Sequence, residues 1–179
     1  MTLTVADQQN QTPYSPIGKS ADVGQIRFLN RDGQPIMQAR TGEELYIALD
    51  FEGSRPERRS TRLSIDFYNL SNIMFVCASE ASYQKLFQIG AGDTAVCRIL
   101  RLPLSEGRYY IELFLEQNGI IEDWLVDRIS IDVSDQSFFG TARNQPQGWE
   151  GRVVLVDHEW LDPVDKTLDV TAELVSDTP

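Results

Sequence analysis

Apolar and polar residues alternate along much of the chain, and this alternation predicts β-strands. In the clearest run, residues 107–116, apolar side chains occupy every second position: Tyr109, Ile111, Leu113 and Leu115. Because successive side chains of a strand point to opposite faces, this run predicts a strand with one buried and one solvated face. The same period of two recurs in residues 45–51, 62–70 and 123–133, which predict further strands of this kind.

Turn residues separate about eight or nine strand-like runs, and residues 80–87 are predicted to form the one short helix. Many short strands with almost no helix indicate an all-β fold, an antiparallel two-sheet sandwich rather than an α/β enzyme fold. The alternation predicts these core residues: Ile47, Leu49, Ile65, Phe67, Tyr109, Ile111, Leu113, Ile129 and Ile131. Residues 152–158, with their Val-Val-Leu-Val centre, predict a last strand that is buried on both faces.

The entrance to the 107–116 strand resembles the tyrosine corner of immunoglobulin-like sandwiches. In that feature a Tyr hydroxyl bonds to backbone upstream of it, across a connection between the two sheets. The resemblance rests on Leu104, Gly107 and Tyr109. The alternative is a plain hairpin in which the position of Tyr109 is incidental.

The composition suits one folded domain with irregular segments at both ends. The chain of 179 residues is 41% hydrophobic, which is enough for one buried core, whereas two domains would each be small. Residues 1–23 are polar, contain Pro13 and Pro16 and predict a leader or linker. Residues 24–160 predict the sandwich domain, and residues 161–179 predict an acidic tail. Since no long apolar run or signal-peptide pattern occurs, the chain is expected to be cytoplasmic.

The charge and the cysteines narrow the choice of partners. The net charge of −11 disfavours nucleic acids and anionic membranes, because both bind through a cationic surface. Cys77 and Cys97, each in an apolar run, are expected to be reduced core thiols. Four arginines after residue 51 either hold an anion or lie in a solvated loop, and the lack of glycine-rich spacing favours the loop: Arg55, Arg58, Arg59 and Arg62.

Motifs for catalysis, metals and cofactors are missing from the sequence. His158 is the only histidine and lies beside acidic residues, which favours a structural role over that of a base or ligand. The sequence contains no Gly-x-Ser-x-Gly, no phosphate-binding loop and no Cys or His cluster. We therefore predict that the protein is not an enzyme and has no catalytic residue, metal site or cofactor. A glycosidase built on two distant carboxylates is the remaining enzymatic alternative.

Five short motifs occur in a particular order along the chain. They are Asp32-Gly33, Gly42-Glu43, Leu102-Pro103-Leu104 with Gly107 and Tyr109, Phe138-Phe139-Gly140, and the segment from Gly151 through Asp157-His158 to Trp160. Their order resembles the carbohydrate-binding C-terminal domain of the Wzt-type ATP-binding subunit of O-antigen ABC exporters. The resemblance covers residues 25–160. Because the phosphate-binding loop of such a subunit is absent, this chain alone is not expected to hydrolyse ATP.

The resemblance implies an immunoglobulin-like sandwich that recognises O-polysaccharide for export. It also implies homodimers that exchange a C-terminal strand, here residues 152–158, and partners in the ATP-binding and transmembrane subunits of an ABC exporter. The domain would then lie in the cytoplasm, at the inner face of the inner membrane. Both an excised module and a free-standing relative are compatible with the sequence. The competing prediction is a sandwich that binds another protein subunit rather than a glycan.

The glycan site is predicted on the outward face of the sheet that contains residues 62–70, 107–116 and 123–133. In an immunoglobulin-like order the 107–116 strand lies between the other two, so their non-core side chains share one surface. Aromatic rings stack on the C–H faces of sugars, while carboxylates and guanidinium groups pair with hydroxyls. The alternative is an ordinary polar sheet face that carries a few aromatic residues. The candidate carbohydrate-binding residues are Asp66, Tyr68, Tyr110, Glu112, Trp124 and Arg128.

Overall fold

A computed structural model of the chain describes residues 14–16, 23–52, 57–69, 72–80, 86–140 and 148–158, with only the backbone of residues 14–16, 123 and 125–128. The described strands are β1 (Tyr14–Pro16), β2 (Val23–Leu29), β3 (Gln38–Arg40), β4 (Leu45–Phe51), β5 (Arg59–Asn69), β6 (Asn72–Ala78), β7 (Phe87–Ile89), β8 (Thr94–Ile99), β9 (Gly107–Gln117) and β10 (Ile120–Ser134). β1 falls within the segment predicted as a leader and pairs with β2. The predicted acidic tail, residues 161–179, lies outside the described residues.

The strands form two sheets. One sheet has the order β1-β2-β4-β8, and the six-stranded sheet has the order β3-β10-β9-β5-β6, with β7 also paired to β5. Paired strands are antiparallel except β3 and β10, which are parallel. The all-β, two-sheet class predicted from the alternation is confirmed, and so is the position of β9 between β5 and β10.

The core lies between the two sheets and is built from their inward side chains. Along β9 every second residue from Tyr109 to Leu115 is buried, in step with the alternation in the sequence. The nine predicted core residues are all buried, with at most 2% of their surface exposed. Burying a side chain of this size stabilises a fold by about 1.5–3 kcal/mol relative to leaving it exposed. The strands that alternate in this way therefore turn their apolar face inward, and their polar face lies on the outer surface.

A tyrosine corner lies at the start of β9, as predicted. The Tyr109 hydroxyl donates a hydrogen bond to the Ser105 backbone oxygen at 2.9 Å, and both residues are fully buried. Gly107 separates them with a φ of +154°. A Cβ at Gly107 would lie only 3.0 Å from the Gly151 Cα, so the glycine allows the chain beyond residue 148 to pass close to the corner.

The helix predicted for residues 80–87 is wrong at its C-terminal end. Phe87 begins β7 and pairs with Thr61 of β5, while its side chain packs against the core. Residues 81–85 lie outside the described residues, and Ser79 and Glu80 are helical. Pairing with β5 and apolar contact outweigh the local helix propensity, which is a weak constraint in a folded chain.

Within the single chain, residues 152–158 do not form the predicted strand. Within the described part of the chain, this segment forms one isolated bridge, between Leu104 and Val154, and the Leu155 amide donates to the Pro103 oxygen at 2.7 Å. Leu155 is buried, but Val156 is 64% exposed. The segment follows the irregular connection before β9 rather than a sheet edge, so it is covered on one side instead of two.

Candidate functional site

The outer face of the six-stranded sheet brings five of the six predicted site residues onto one surface. Tyr68 of β5 is paired with Tyr110 of β9, and Asp66 is paired with Glu112. Directly paired residues point to the same face of a sheet. Trp124 of β10 joins this surface because it is paired with Phe114, two residues beyond Glu112 on β9.

Two aromatic pairs lie along this surface. The ring centroids of Tyr68 and Tyr110 are 5.7 Å apart, and those of Phe114 and Trp124 are 6.2 Å apart with the rings nearly perpendicular. Tyr68 is buried, whereas Trp124 is 60% exposed. Trp124 is therefore the aromatic side chain of this surface that offers the largest accessible ring, and Phe114 supports it from the side.

The two carboxylates of the surface each accept a hydrogen bond. Ser64 Oγ donates to Asp66 Oδ1 at 2.7 Å, and Trp124 Nε1 donates to Glu112 Oε1. Like charges opposite one another on neighbouring strands repel, and these bonds offset part of that repulsion for Asp66 and Glu112. A carboxylate accepts more than one hydrogen bond, so both groups retain capacity to accept bonds from hydroxyls of a ligand.

An ion pair lies at the end of this surface, where β9 begins. Arg108 donates two hydrogen bonds to Asp132 of β10, at 2.7 and 2.8 Å. These bonds from the guanidinium hold the pKa of the Asp132 carboxyl below its usual value. Bidentate bonding fixes both side chains in one geometry, so this end of the surface carries a neutralised pair rather than a free charge.

The position of the Arg128 side chain stays a prediction. Arg128 lies between Leu125, which pairs with Leu113, and Ile129, which pairs with Ile111, and the ladder shifts its register between them. β10 thus contains two more residues than β9 over this stretch. The structure describes only the backbone of residues 125–128. The backbone of β10 therefore places Arg128 next to the candidate surface, and the direction of its side chain stays a prediction.

Sequence reasoning missed two contributors to the surface. Phe114 occupies the same outward series as Tyr110 and Glu112, so the period of two was a sufficient signal for it. Val76 of β6 pairs with Asp66 and is 49% exposed. Its strand is apolar at nearly every position, so the pattern could not distinguish its outer residues from its inner ones.

The described arginines of the segment after residue 51 do not form an open anion site, the alternative that the sequence had disfavoured. Arg58 pairs with Asp93 at 2.9 Å, and Arg59 pairs with Glu122 at 3.0 Å. Arg62 contacts Glu80 at 2.7 Å, while Arg55 lies outside the described residues. Arg59 and Arg62 belong to β5 rather than to a loop, and their charges are already matched by carboxylates.

His158 lies in an aromatic and backbone environment. Its ring is 5.3 Å from the Phe139 ring, and its Nδ1 is 2.8 Å from the Val156 oxygen. Arg101 contacts Asp157 and lies over the Phe138 ring, 4.0 Å from its centroid. The Phe138-Phe139 and Asp157-His158 motifs therefore meet in space, and their contacts hold residues 148–158 against the domain.

Comparison with known proteins identifies the family of this chain. The family model of the Wzt C-terminal domain matches residues 18–143. The chain belongs to the Wzt C-terminal domain family. A solved structure described as the crystal structure of the C-terminal domain of wzt is similar to this chain, with a TM-score of 0.57 and 10% sequence identity over 83% of this chain and 93% of that chain. No curated protein sequence matches the chain.

Membership of the Wzt C-terminal domain family places the chain with O-antigen ABC transporters. In the ATPase subunit of such a transporter, this domain is a non-catalytic accessory part. Among the described residues, no group of three His, Cys, Asp or Glu side chains is arranged to hold a metal ion. No helix in the described part of the chain is long and apolar enough to span a membrane.

Proposed function

We propose that this domain is a carbohydrate-binding module that recognises an O-antigen polysaccharide for export by an ABC transporter. The observation that carries the proposal is the exposed Trp124 ring on the outer face of the six-stranded sheet, held beside Glu112 and Phe114. Membership of the Wzt C-terminal domain family supports it independently. An immunoglobulin-like topology is part of the proposal, and the tyrosine corner at Tyr109 supports it.

Binding would combine stacking with hydrogen bonding. The C–H face of a sugar ring lies on the Trp124 ring, and neighbouring hydroxyls donate to Asp66 and Glu112. The hydrogen bond from Trp124 to Glu112 and the edge contact with Phe114 hold the indole in place before a ligand arrives. Since little side-chain freedom is then lost on binding, more of the stacking energy contributes to affinity.

The direct test is binding of the purified chain to a panel of O-polysaccharides that includes the host strain's own. By calorimetry, Trp124→Ala and Tyr110→Ala should each weaken binding by about tenfold or more, the loss of roughly 1.4 kcal/mol expected for an aromatic anchor. Tyr46→Ala is the matched control, because Tyr46 pairs with Leu29 and Arg98 in the other sheet. If both variants fold and retain full affinity, the site lies elsewhere on the domain.

A second candidate function is binding of another protein subunit through the same sheet. Ile73 and Val76 of β6 are 62% and 49% exposed and pair with Tyr68 and Asp66. Apolar side chains at an exposed edge are typical of protein interfaces. A Val76→Ser variant separates the two functions. If it loses subunit binding and keeps its affinity for polysaccharide, β6 binds a protein. If it keeps subunit binding and loses affinity for polysaccharide, β6 binds the glycan.

We also propose that the domain forms homodimers by exchange of residues 152–158. This segment buries Leu155 but leaves Val156 exposed, which suits a segment that pairs more fully in an assembly. Residues 141–151 can extend about 35 Å, enough to reach a second sandwich. Sedimentation at micromolar concentration should give a dimer, and truncation after Gly140 should give a monomer. A monomeric intact chain contradicts dimerisation, and a dimer that survives truncation contradicts exchange.

The remaining partners follow from the proposed export function. The domain would associate with the ATP-binding and transmembrane subunits of the exporter, in the cytoplasm at the inner face of the inner membrane. In that arrangement the residues before β1 serve as a leader or linker to an ATP-binding unit, and residues 161–179 form a tail beyond the sandwich. Co-purification of the tagged chain with the transmembrane subunit tests the association.

A further inference from the structure

One side of the sandwich is bordered by two edge strands that belong to different sheets. β8 is the last strand of the four-stranded sheet, and β6 is the last strand of the six-stranded sheet. Between them lies a cavity of about 760 Å³, lined by residues of both sheets that include Leu49, Ile65, Cys77 and Cys97. The cavity therefore lies between the two sheets, at the side of the sandwich that β6 and β8 border.

Cys77 and Cys97 both line this cavity, one from each sheet. Cys77 is paired with the core residue Ile65, and Cys97 is paired with the core residue Ile47, so both side chains point inward. Both are partly buried free thiols, and both belong to the lining of this one cavity. They are also the chain's only two cysteines, so an internal disulfide has a single possible pairing.

The pKa values of the two thiols are shifted in opposite directions. The hydrogen bond with Cys77 lowers the pKa of Cys97. The same bond, together with burial, raises the pKa of Cys77. Cys97 is therefore the more readily ionised of the two thiols. Because the thiolate is the attacking species in disulfide exchange, Cys97 is the entry point for an oxidant.

We propose that Cys77 and Cys97 are a modification site at which a small disulfide oxidant, such as glutathione disulfide, forms an intersheet disulfide. The Cys97 thiolate attacks one sulfur of the oxidant and releases one thiolate. Cys77, after losing its proton, then attacks the Cys97 sulfur of the mixed disulfide and releases the second. Two protein thiols are oxidised, one oxidant molecule is reduced to two thiols, and the two protons end on those products.

Such a bond would tie the two edge strands together at the cavity. A cross-link that closes a loop of about 20 residues restricts the unfolded chain and, for a domain of this size, raises Tm by about 5–10 °C. The bond also fixes β6, which carries Val76 of the candidate surface, against the opposite sheet. Its formation would be reversible by reduction, as for regulatory disulfides in reducing compartments.

The test uses the full-length chain, incubated with glutathione disulfide and then quenched with an alkylating agent under denaturing conditions. The expected species has lost two hydrogen atoms, takes up no alkyl group and yields a Cys77–Cys97 cross-linked peptide. Its Tm should be raised, and dithiothreitol should reverse both changes. Cys77→Ser is the matched control: it should retain one glutathione on Cys97 and show no such rise in Tm.

Three results would overturn the proposal. Native thiols that stay fully alkylatable after long exposure to the oxidant show that the pair is not accessible to exchange. A stable glutathione adduct on each cysteine shows that the thiols cannot reach each other. Covalent dimers without the internal cross-link show that the reaction occurs between copies of the chain.

Discussion

Removing the Tyr109 hydroxyl tests whether the tyrosine corner stabilises the sandwich. Three polar contacts meet there: Tyr109 to the Ser105 oxygen at 2.9 Å, Ser105 Oγ to the Trp149 oxygen at 2.8 Å, and Ser105 Oγ to the Tyr109 hydroxyl at 3.0 Å. The two hydroxyls supply two protons in total. If Ser105 donates to Trp149, the Tyr109 proton serves the Ser105 carbonyl, and a Phe ring cannot replace it.

The expected cost of Tyr109→Phe follows from this arrangement. Tyr109 and Ser105 are both fully buried, so the Ser105 carbonyl loses a donor where water does not replace it. A buried acceptor left without its partner costs about 1–3 kcal/mol. With a urea m-value of about 2 kcal/mol/M, the unfolding midpoint should fall by about 0.5–1.5 M at unchanged m.

Tyr110→Phe is the matched control for the measurement. It removes the same hydroxyl from the next residue of β9, whose side chain lies on the half-buried outer face. Its free energy of unfolding should change by less than about 0.5 kcal/mol. The reasoning is refuted if the midpoint of Tyr109→Phe coincides with that of Tyr110→Phe.

High pH provides a second readout of the same residue. Burial raises the pKa of the Tyr109 hydroxyl above its usual value, which is about 10. Between pH 10 and the raised pKa the unfolded chain loses this proton and the native chain keeps it, so stability falls as the pH rises. Tyr109→Phe lacks this group, and the stability difference between the two proteins should therefore narrow above about pH 10.

Two further substitutions test backbone crowding and a cross-strand charge cluster. Gly107→Ala should lower the free energy of unfolding by about 1–3 kcal/mol, because its Cβ would lie 3.0 Å from the Gly151 Cα; an unchanged urea midpoint contradicts this. Asp50 accepts two hydrogen bonds from Arg27 and one from Thr94, each at 2.7 Å. The bonds from Arg27 contribute most to lowering the pKa of the Asp50 carboxyl. Asp50→Asn should cost about 1 kcal/mol at neutral pH, and the difference should fade as the pH falls through the lowered pKa; a pH-independent difference contradicts it.

The alternating pattern predicted most of the fold because burial of one face is the dominant energy of each strand. Every predicted core residue of β4, β5, β9 and β10 is buried, and the corner at Tyr109 forms as expected. The pattern failed where burial was not periodic. Phe87 lies in β7 because β5 offers it backbone partners, and residues 152–158 lie on a connection whose path no local pattern encodes.

The candidate surface was predicted less completely, since it depends on which residues of different strands are paired. The chain's own alternation assigned Tyr110 and Glu112 to the outer face, and the same rule applied to Phe114. The bond from Trp124 to Glu112 was beyond sequence reasoning, because it requires the register between β9 and β10. A shift of one residue would move a side chain to the opposite face.

That register is set by an irregularity in β10. Asn118 and Gly119 form the tight turn of the hairpin, with φ values of +49° and +80°, and pair Gln117 with Ile120. Continued without interruption, this register would place Trp124 opposite Leu113, a fully buried residue of the inner face.

A shift between Ile121 and Asp123 places Trp124 opposite Phe114 instead. Glu122, the extra residue, is held by Arg59 of β5 at 3.0 Å, so an ion pair fixes the bulge that sends the indole outward. Bulges re-aim side chains next to functional sites, and a second register shift follows Leu125. Trp124 thus stands between two interruptions of the ladder. This supports the view that its exposure is built into β10, rather than left over from an otherwise regular strand.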